Sequence, residues 1–535
     1  MTSRARGFTL IELLLAIFIL AMMAVLGWRG LDSIVRSRST LTSDMDQTRG
    51  LQLAFAQMQS DCANLAGSDL LHGRAFVQAE DNRITLVRMV LAENQPTRLQ
   101  VVSYRVNADG VLTRRESNAT RELAQLDNLW QAALSDADTA GSVALQHNVH
   151  GMAMRLWVPD ASAGQIQSAA NAGNWRQAAG VSTARSTATV AAGAAAVPTG
   201  LEVSLSLQAP GGADGEGFPA GGTVKLKRQK GVAIITALLL STLAVTIVTS
   251  LFWLQQVQVR SMENQRLQLQ TRWILRGALD LSRLILNQDF IDSQTITRLD
   301  GVWATPLEET RLDDYVERER LQGENFNATL SGRMTDAQAR YNLGNLAQGK
   351  QIQTAEVEVF ARLLSNLRLD SGLAQNVASM VAQSNTVAVP QQEQAGSNEP
   401  MGMVRVEDLL AVSGFTPQAI EQLRDYVIVL PASPVSVNVN TAPAEVLSAL
   451  VPGLSLSDAA AMVSARKTVY YRSKAEFQAL YQVAGKTITA AWDVRSDYFL
   501  AYSRVKLDRA SLETQSLLAR RARQPITSVA WIREY

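Results

Sequence analysis

Few residues in this chain carry the side chains that catalysis or metal binding usually requires. A single cysteine, Cys62, excludes an internal disulfide, a multi-thiolate metal site and an iron–sulfur cluster. His147 and His150 are three residues apart, but no carboxylate or thiol cluster accompanies them. The sequence has no phosphate-binding glycine loop, no Gly-x-Ser-x-Gly elbow and no HExxH motif. We therefore expect a protein that is not an enzyme and that holds no metal or other cofactor.

The acidic residue in the most unusual setting is Glu12, the only charge within the apolar run Phe8–Leu26. A helix of this length, at about 1.5 Å per residue, crosses the hydrocarbon core of a membrane. Arg4 and Arg6 precede the run and favour a cytoplasmic N-terminus. An ordinary secretory signal is disfavoured, because such a signal has a shorter apolar stretch with a cleavage site after it. A carboxylate in a bilayer is costly unless it is paired, so Glu12 is a candidate functional residue.

A second apolar run, Val232–Leu254, has no charge at all. Gly231 comes directly before it, and a basic cluster at residues 225–230 comes before that glycine. Thr236 stands where the first run has Glu12. The two runs therefore share one order of features, which predicts two membrane-spanning helices of the same kind in one chain.

Apolar residues continue at helical spacing after both spans. The first series steps by four, three, four and three: Leu51, Phe55, Met58, Cys62 and Leu65. The second series steps by seven, four, three and four: Leu267, Ile274, Ala278, Leu281 and Ile285. Each span is therefore expected to be the lower half of one long helix whose upper half packs on a soluble part, with Cys62 as a small buried apolar residue.

The residues after the first long helix alternate as strands do. Five segments are rich in β-branched or alternating apolar residues: Arg83–Val90, Leu99–Val106, Val111–Arg115, Val149–Val158 and Leu201–Leu207. Residues 161–200 are rich in Ala, Gly, Ser and Thr and are expected to form a flexible loop. The pattern predicts an antiparallel sheet that follows one long helix.

The second soluble part combines strands with a helical insertion at about residues 350–480. The predicted strands are Phe326–Met334, Val435–Ala442, Tyr498–Leu507 and Ile526–Ile532. Helices are expected between Lys350 and about Val387, and Thr416 before Pro417 is a typical helix N-cap. The fold class is therefore α+β, with two units that each place a long N-terminal helix on an antiparallel sheet.

Composition limits the classes of partner. The chain has 535 residues, enough for three to five domains, and 50 Lys+Arg against 49 Asp+Glu give a net charge of +1. Hydrophobic residues make up 47%, which excludes a disordered chain. The near-zero charge gives no electrostatic reason to expect a nucleic-acid partner.

One segment still leaves DNA binding open as an alternative. Residues 437–442, Pro452-Gly453 and residues 459–466 together resemble a helix-hairpin-helix, whose hairpin amides can hold phosphates. Nearby cations are Arg466, Lys467, Arg472 and Lys474. The chain lacks an aromatic stacking stripe, so a packing motif used without DNA is the favoured interpretation.

Gly7-Phe8-Thr9-Leu10-Ile11-Glu12 resembles the cleavage signal of type IV pilins and pseudopilins. The resemblance implies that a prepilin peptidase cuts between Gly7 and Phe8 and methylates the new N-terminus. Residues 1–7 would be the leader, 8–26 the first transmembrane helix and 27–228 its soluble domain. Residues 225–231 would be a second leader, cut between Gly231 and Val232. Residues 232–254 would then be the second transmembrane helix and 255–535 the second soluble domain.

The two halves resemble two minor pseudopilins of the type II secretion system. Residues 1–228 are similar to minor pseudopilin J in the leader, the segment Asn82–Arg88 and the last strand before a Gly-rich hairpin. Residues 229–535 are similar to minor pseudopilin K, and these segments carry the match: Gly231–Leu239, Trp253, Asp336–Leu343, Ser413–Pro417 and Val437–Ala442. The K family usually has Gly where Ala339 stands. Both halves would then be pilin-like units.

The resemblance implies a complex of J, K and I subunits at the tip of a periplasmic fibre. The expected partners are prepilin peptidase, an I-like minor pseudopilin, the major pseudopilin and the inner-membrane assembly platform. Glu12 would pair with the Phe8 amine of a neighbouring subunit, whereas Thr236 fits a tip subunit with no neighbour above it. Some relatives hold calcium on loop carboxylates, but the resemblance places no such site here. The alternative is a minor pilin of a type IV pilus or a DNA-uptake component.

The order of the two halves creates a topological conflict. Gly231 must lie in the cytoplasm to be cleaved, yet it directly follows a domain that the resemblance places in the periplasm. The basic cluster before Gly231 also favours the cytoplasm. We therefore hypothesise that the working species are two polypeptides, each a single-pass protein of the bacterial inner membrane with its soluble domain in the periplasm.

Overall fold

A computed structural model describes residues 10–135, 141–159, 173–177, 181–182, 199–207, 232–312, 327–385, 399–520 and 526–535. Within the two longest helices, side chains before residue 43 and before residue 259 are described at only a few positions. The chain divides into two compact units. Unit 1 comprises residues 1–91, 98–215 and 390–401, and unit 2 comprises residues 92–97, 216–389 and 402–535.

Unit 1 contains two helices and nine strands among its described residues. The helices are α1 (Leu10–Ala63) and α2 (Leu123–Leu134). The strands are β1 (Val77–Glu80), β2 (Arg83–Val90), β3 (Arg98–Val106), β4 (Leu112–Glu116), β5 (Ser142–Gln146), β6 (Val149–Pro159), β7 (Gly173–Gln177), β8 (Val181–Ser182) and β9 (Gly200–Leu207).

The strands of unit 1 form two antiparallel sheets. One sheet has the order β5-β4-β3-β2-β1-β8, and the other has the order β7-β6-β9. The turn between β3 and β4 is built as its sequence predicts, since Asn107 accepts a hydrogen bond from the Val111 amide at 2.8 Å and Gly110 has a φ of 69°. The expected antiparallel sheet is present, although it is split in two.

Helix α1 packs on the sheet with a face that differs slightly from the predicted one. Ala54, Met58 and Asp61 are buried, whereas Phe55 is 41% exposed. The predicted stripe was therefore wrong at Phe55, because the buried face of α1 runs through Ala54, Met58 and Asp61. Cys62 is half-buried, and burial raises the pKa of its thiol.

The sequence predicts a loop at residues 161–200, but the residues described there include two strands. Strands β7 and β8 fall within it, and β7 pairs with β6 through Trp157 opposite Trp175. The rings of these two residues meet edge to face with centroids 5.4 Å apart. This aromatic pair, which composition alone does not reveal, therefore holds β7 against β6.

Unit 2 contains seven helices and eleven strands among its described residues. The helices are α3 (Val232–Asp292), α4 (Thr354–Asn366), α5 (Leu373–Ser384), α6 (Pro417–Leu423), α7 (Ala444–Leu450), α8 (Leu456–Ala465) and α9 (Lys474–Gln478). The strands are β10 (Leu307–Arg311), β11 (Ala328–Asp336), β12 (Tyr341–Asn342), β13 (Ala347–Gln348), β14 (Gln351–Ile352), β15 (Val427–Ile428), β16 (Val437–Asn438), β17 (Trp492–Asp493), β18 (Tyr498–Leu507), β19 (Ala510–Arg520) and β20 (Thr527–Glu534).

A five-stranded antiparallel sheet, β10-β11-β18-β19-β20, packs against α3. The helices α4 to α9 share a separate hydrophobic core with the short strands between them. They lie between β11 and β18 in the chain, so the predicted helical insertion is present. Thr416 caps α6 by accepting a hydrogen bond from the Ala419 amide at 3.3 Å, as its sequence predicts.

The strand predicted at residues 435–442 is much shorter than expected, since β16 covers Val437–Asn438 only. The side chain of Asn438 accepts a hydrogen bond from the amide of Asn440, and the side chain of Asn440 accepts one from the amide of Tyr471. Asparagine side chains therefore satisfy backbone groups here in place of a longer strand.

Among the described residues, no helix is both long and apolar enough to cross a membrane. Most side chains of the predicted spans, residues 8–26 and 232–254, lie outside the described set. The two spans therefore remain sequence-based predictions.

Candidate assembly site

The predicted processing and assembly residues fall mainly outside the described part of the chain. Gly7, Phe8 and Gly231 lie outside the described residues. Val232 lies in α3, at the first described residue of that helix. Glu12 and Thr236 lie within α1 and α3, and their side chains are not described. The proposed roles of these six residues therefore remain predictions.

The described part of α3 presents an exposed apolar face. Its members are all at least 47% exposed: Phe252, Val259, Met262, Leu269, Trp273, Leu281, Leu284 and Ile291. At 100° per residue they fall on one side of the helix, roughly opposite the residues that pack on the sheet. Charged residues such as Glu263, Arg266 and Asp280 lie among them, so this apolar face is a row of exposed apolar side chains rather than a continuous patch. Such a row favours contact with another protein or with a membrane.

The opposite face of α3 anchors the helix in unit 2. Leu275, Leu279, Leu286 and Phe290 are at most 4% exposed. Leu281, which the sequence pattern predicted on this buried face, is 47% exposed. That prediction was wrong because Leu279 and Leu286 define the packed face, and residue 281 lies far from it around the helix.

A buried ion pair fixes the end of α3 to the sheet. Arg520 on β19 donates to the Asp289 carboxylate at 3.1 Å, to Thr297 Oγ1 at 3.1 Å and to the Ser496 carbonyl at 2.6 Å. Burial raises the pKa of Asp289 and lowers the pKa of Arg520, and their mutual attraction only partly offsets both shifts. Loss of either partner would leave a buried charge without compensation.

A second buried carboxylate connects the sheet to the helical insertion. Asp336, at the end of β11, accepts hydrogen bonds from Ser496 Oγ at 2.6 Å, Thr441 Oγ1 at 2.6 Å and Asn438 Nδ2 at 3.0 Å. The Gln338 amide donates a fourth at 2.8 Å. Burial raises the pKa of Asp336, and these donors act against that rise. The two K-like segments that contain Asp336 and Asn438 therefore meet at one network.

Unit 1 has an analogous clamp on its own long helix. Asp61 on α1 is fully buried and accepts hydrogen bonds from Arg88 at 2.6 Å, Arg114 at 2.9 Å and Tyr104 at 2.5 Å. Burial raises the pKa of the Asp61 carboxyl, but the hydrogen bonds and the two guanidinium charges outweigh it, so the pKa lies below its usual value.

Asp61, Asp289 and Arg520 were not among the predicted functional residues. Asp61 interrupts the buried face of α1, and a carboxylate in such a face indicates a paired charge. Asp289, a carboxylate near the packed face of α3, likewise indicates a paired charge. The partners come from distant strands, and spacing along the chain does not reveal them.

The helix-hairpin-helix-like segment has the predicted shape. Helices α7 and α8 are joined by a tight turn in which Gly453 has a φ of 66°, the left-handed region that favours glycine. Ser455 caps α8 by accepting a hydrogen bond from the Asp458 amide at 3.1 Å and donates to the Asp458 carboxylate at 2.6 Å. The acidic group that complements the N-terminus of α8 is therefore supplied by the helix itself.

The described part of the chain does not meet the requirements of a metal site. No group of three or more His, Cys, Asp or Glu side chains there could hold a metal ion. His147 and His150 are both exposed. The calcium that the family resemblance implies therefore has no position assigned to it.

Family comparisons match three segments of this chain. Two models described as type II secretion system (T2SS), protein K match residues 339–432 and 437–495. A model of the prokaryotic N-terminal methylation motif matches residues 2–28. The K models cover most of the helical insertion, including the Asn438 side of the Asp336 network.

Curated relatives carry the same description. Type II secretion system protein K of Pseudomonas aeruginosa is 28% identical over 309 residues, which cover 54% of this chain and 88% of that protein. Type II secretion system protein K of Klebsiella pneumoniae is 28% identical over 327 residues, covering 55% and 94%. The predicted function, a minor pseudopilin of the type II secretion system, is confirmed through the K-like half.

A solved structure is also similar. A chain from the crystal structure of the GspK-GspI-GspJ complex of the enterotoxigenic Escherichia coli type 2 secretion system matches with 20% identity and a TM-score of 0.41. The match covers 52% of this chain and 99% of that one.

Proposed function

We propose that this chain supplies two minor pseudopilins of a type II secretion system, a K-like subunit in residues 229–535 and a J-like subunit in residues 1–228. The observation that carries the K-like assignment is the pair of protein K models over residues 339–495, together with relatives matched over 88% and 94% of their own length. The J-like assignment rests on the resemblance of residues 1–228 and on the methylation motif.

The geometry of unit 2 suits a pilin-like subunit in a fibre tip. A long helix packs one face on an antiparallel sheet and leaves an apolar face open along its length. Helices of neighbouring subunits would cover that face, because burial of apolar area drives such association. The absence of a glutamate at Thr236 fits a subunit with no neighbour above it, as an unpaired carboxylate would only add a cost in the membrane.

Processing by prepilin peptidase follows from the methylation motif at residues 2–28. In this proposal Gly7 leaves with the leader, and Phe8 becomes the methylated N-terminus. The amine of that residue pairs with Glu12 of a neighbouring subunit. Both subunits are anchored in the inner membrane and place their soluble domains in the periplasm.

The assembly partners proposed are an I-like minor pseudopilin, the major pseudopilin and the inner-membrane assembly platform. The J-like and K-like subunits, together with the I-like subunit, would form the tip that initiates a periplasmic fibre for protein export across the outer membrane. The alternatives, a type IV pilus minor pilin or a DNA-uptake component, predict different phenotypes.

Deletion of this reading frame tests the proposal. We expect enzymes that normally reach the medium to accumulate in the periplasm, and expression of the whole frame from a plasmid to restore their export. Surface motility and uptake of added DNA should not change. Normal export combined with loss of motility or of DNA uptake would instead support one of the alternatives.

A further inference from the structure

The most basic stretch in the described part of the helical insertion joins α8 to α9. This basic loop, residues 466–474, contains four cations and no acid: Arg466, Lys467, Arg472 and Lys474. The whole chain has 50 basic and 49 acidic residues, so the excess is local. A local excess of one charge on a near-neutral protein favours a partner of the opposite charge.

Two of these cations have no acidic partner in the described part of the chain. Lys467 and Arg472 are exposed, and neither side chain has a carboxylate within 4.0 Å among the described residues. Lys474 lies 3.6 Å from Asp493. The buried Arg466 donates to the Val439 carbonyl at 2.8 Å, and burial lowers its pKa to about 10, so it remains charged at neutral pH.

Buried residues hold the basic loop in one conformation. The side chain of Asn440 donates to the Tyr471 carbonyl at 2.9 Å and accepts from the Tyr471 amide at 2.8 Å. The ring of Tyr471 meets Phe477 edge to face at 5.1 Å. A surface fixed in this way loses little conformational entropy when it binds.

Aromatic and apolar groups accompany the charges. The guanidinium of Arg298 lies over the Tyr470 ring at 4.6 Å, while its Nε is 2.8 Å from Asp300. Val469 is 65% exposed at the centre of the loop. Arginine and tyrosine around an exposed apolar residue are typical of a protein-binding surface.

The same surroundings argue against a nucleic acid. Asp458 supplies the negative charge at the N-terminus of α8 and would repel a phosphate there. Asp300, Glu476 and Asp493 lie beside the basic loop and would repel a uniformly charged backbone. A protein surface can place its acids opposite Lys467 and Arg472 and avoid these positions.

We propose that the basic loop, with Arg298 and Val469, docks an acidic, partly apolar surface of another protein. The contact would use Lys467 and Arg472 for charge and Val469 for apolar contact. This interaction goes beyond the proposed function in secretion and can be tested without it.

The test measures fluorescence anisotropy with the full chain purified in detergent. The probes are a labelled peptide with two glutamates and two leucines among neutral residues, the same peptide with glycines in place of the leucines, and a labelled DNA duplex. We expect the leucine peptide to bind tightest. The double variant Lys467→Ala with Arg472→Ala should weaken its binding about tenfold, because two exposed ion pairs are lost.

Matched variants separate charge from folding. Lys467→Arg with Arg472→Lys keeps both charges and should keep binding. Arg311→Ala with Arg368→Ala removes two exposed cations elsewhere in unit 2 and should also bind normally. Val469→Ser should abolish the preference for leucine over glycine. Equal binding by the double alanine variant and the wild type, no binding of the leucine peptide, or tighter binding of DNA would each overturn the proposal.

Discussion

Single carboxylates connect the long helices to their sheets in both units. Asp61 accepts hydrogen bonds from two arginines and a tyrosine on three strands, while Asp289 receives one arginine from β19. These buried charges cost desolvation energy and recover it only when every partner is in place. They therefore fix the position of each helix on its sheet more specifically than apolar contact alone.

Asp61→Asn should destabilise unit 1 by about 3 kcal/mol, because Arg88 and Arg114 would lose the charge that they share. Met58, one turn earlier on α1 and 6% exposed, serves as a local probe. In the full chain, its oxidation by peroxide should begin at a lower urea concentration in the variant. Asp109→Asn, in an exposed turn, is the matched control and should leave the midpoint unchanged.

The stabilisation from Asp61 should depend on pH with a defined sign. Its pKa is depressed in the folded chain, so the stabilisation is present above the ordinary pKa near 3.8 and is lost as the pH falls through the folded value. The difference in Met58 midpoint between the wild type and Asp61→Asn should therefore shrink as the pH is lowered below about 4. A difference that grows with acidity would contradict the assigned ion pairs.

At the scale of elements, the pattern of apolar and β-branched residues was enough to predict some strands, but it did not predict every element packed beside them. Strand β2 has the predicted bounds, Arg83–Val90. It lies between β1 and β3 in the sheet, a position that its β-branched residues favour. Helix α2 was not predicted, since only Leu123, Leu126 and Trp130 are buried on it. The hydrogen-bond partners of Asp336 and Asp61 could not be predicted either, because they come from residues far apart in the chain.

The exposed face of α3 should be needed for assembly but not for folding. Leu269→Glu with Trp273→Glu places two charges on that face, where both residues are more than half exposed. Export of secreted enzymes should fall to the level of the deletion strain, while the amount of the chain in the cell stays normal. Normal export by this variant would remove the face from the assembly surface.

The control for the α3 variant adds the same charge to another side of the helix. Asn264→Glu with Gln268→Glu changes two exposed polar residues that lie away from the apolar face. Export should be unaffected by these substitutions. A defect equal to that of the apolar-face variant would mean that added charge alone impairs the helix.

At the scale of the whole molecule, the chain joins two units that each begin with a long helix, α1 and α3. The family models match the leader of the first and the helical insertion of the second. The repeated order of a basic cluster, a glycine and an apolar run could be recognised in the sequence, because the three features follow one another within about thirty residues.

Thr236→Glu tests the tip position of the second unit. If no subunit lies above it, the new carboxylate has no amine to pair with and costs energy in the bilayer. Fibre initiation, measured as export of secreted enzymes when expression is limiting, should be unchanged or reduced. More efficient initiation would contradict a tip position, and Thr236→Ser is the control that keeps the hydroxyl.

The central claim is that one reading frame encodes two separately working pseudopilins. An immunoblot against a tag placed after Tyr535, in cells that export normally, tests this claim directly. We expect a product clearly smaller than the calculated 58.1 kDa of the whole chain. If prepilin peptidase cuts after Gly231, that product begins with methylated Val232 and lengthens when the peptidase is absent. A single band near 58.1 kDa in cells with normal export would contradict the claim.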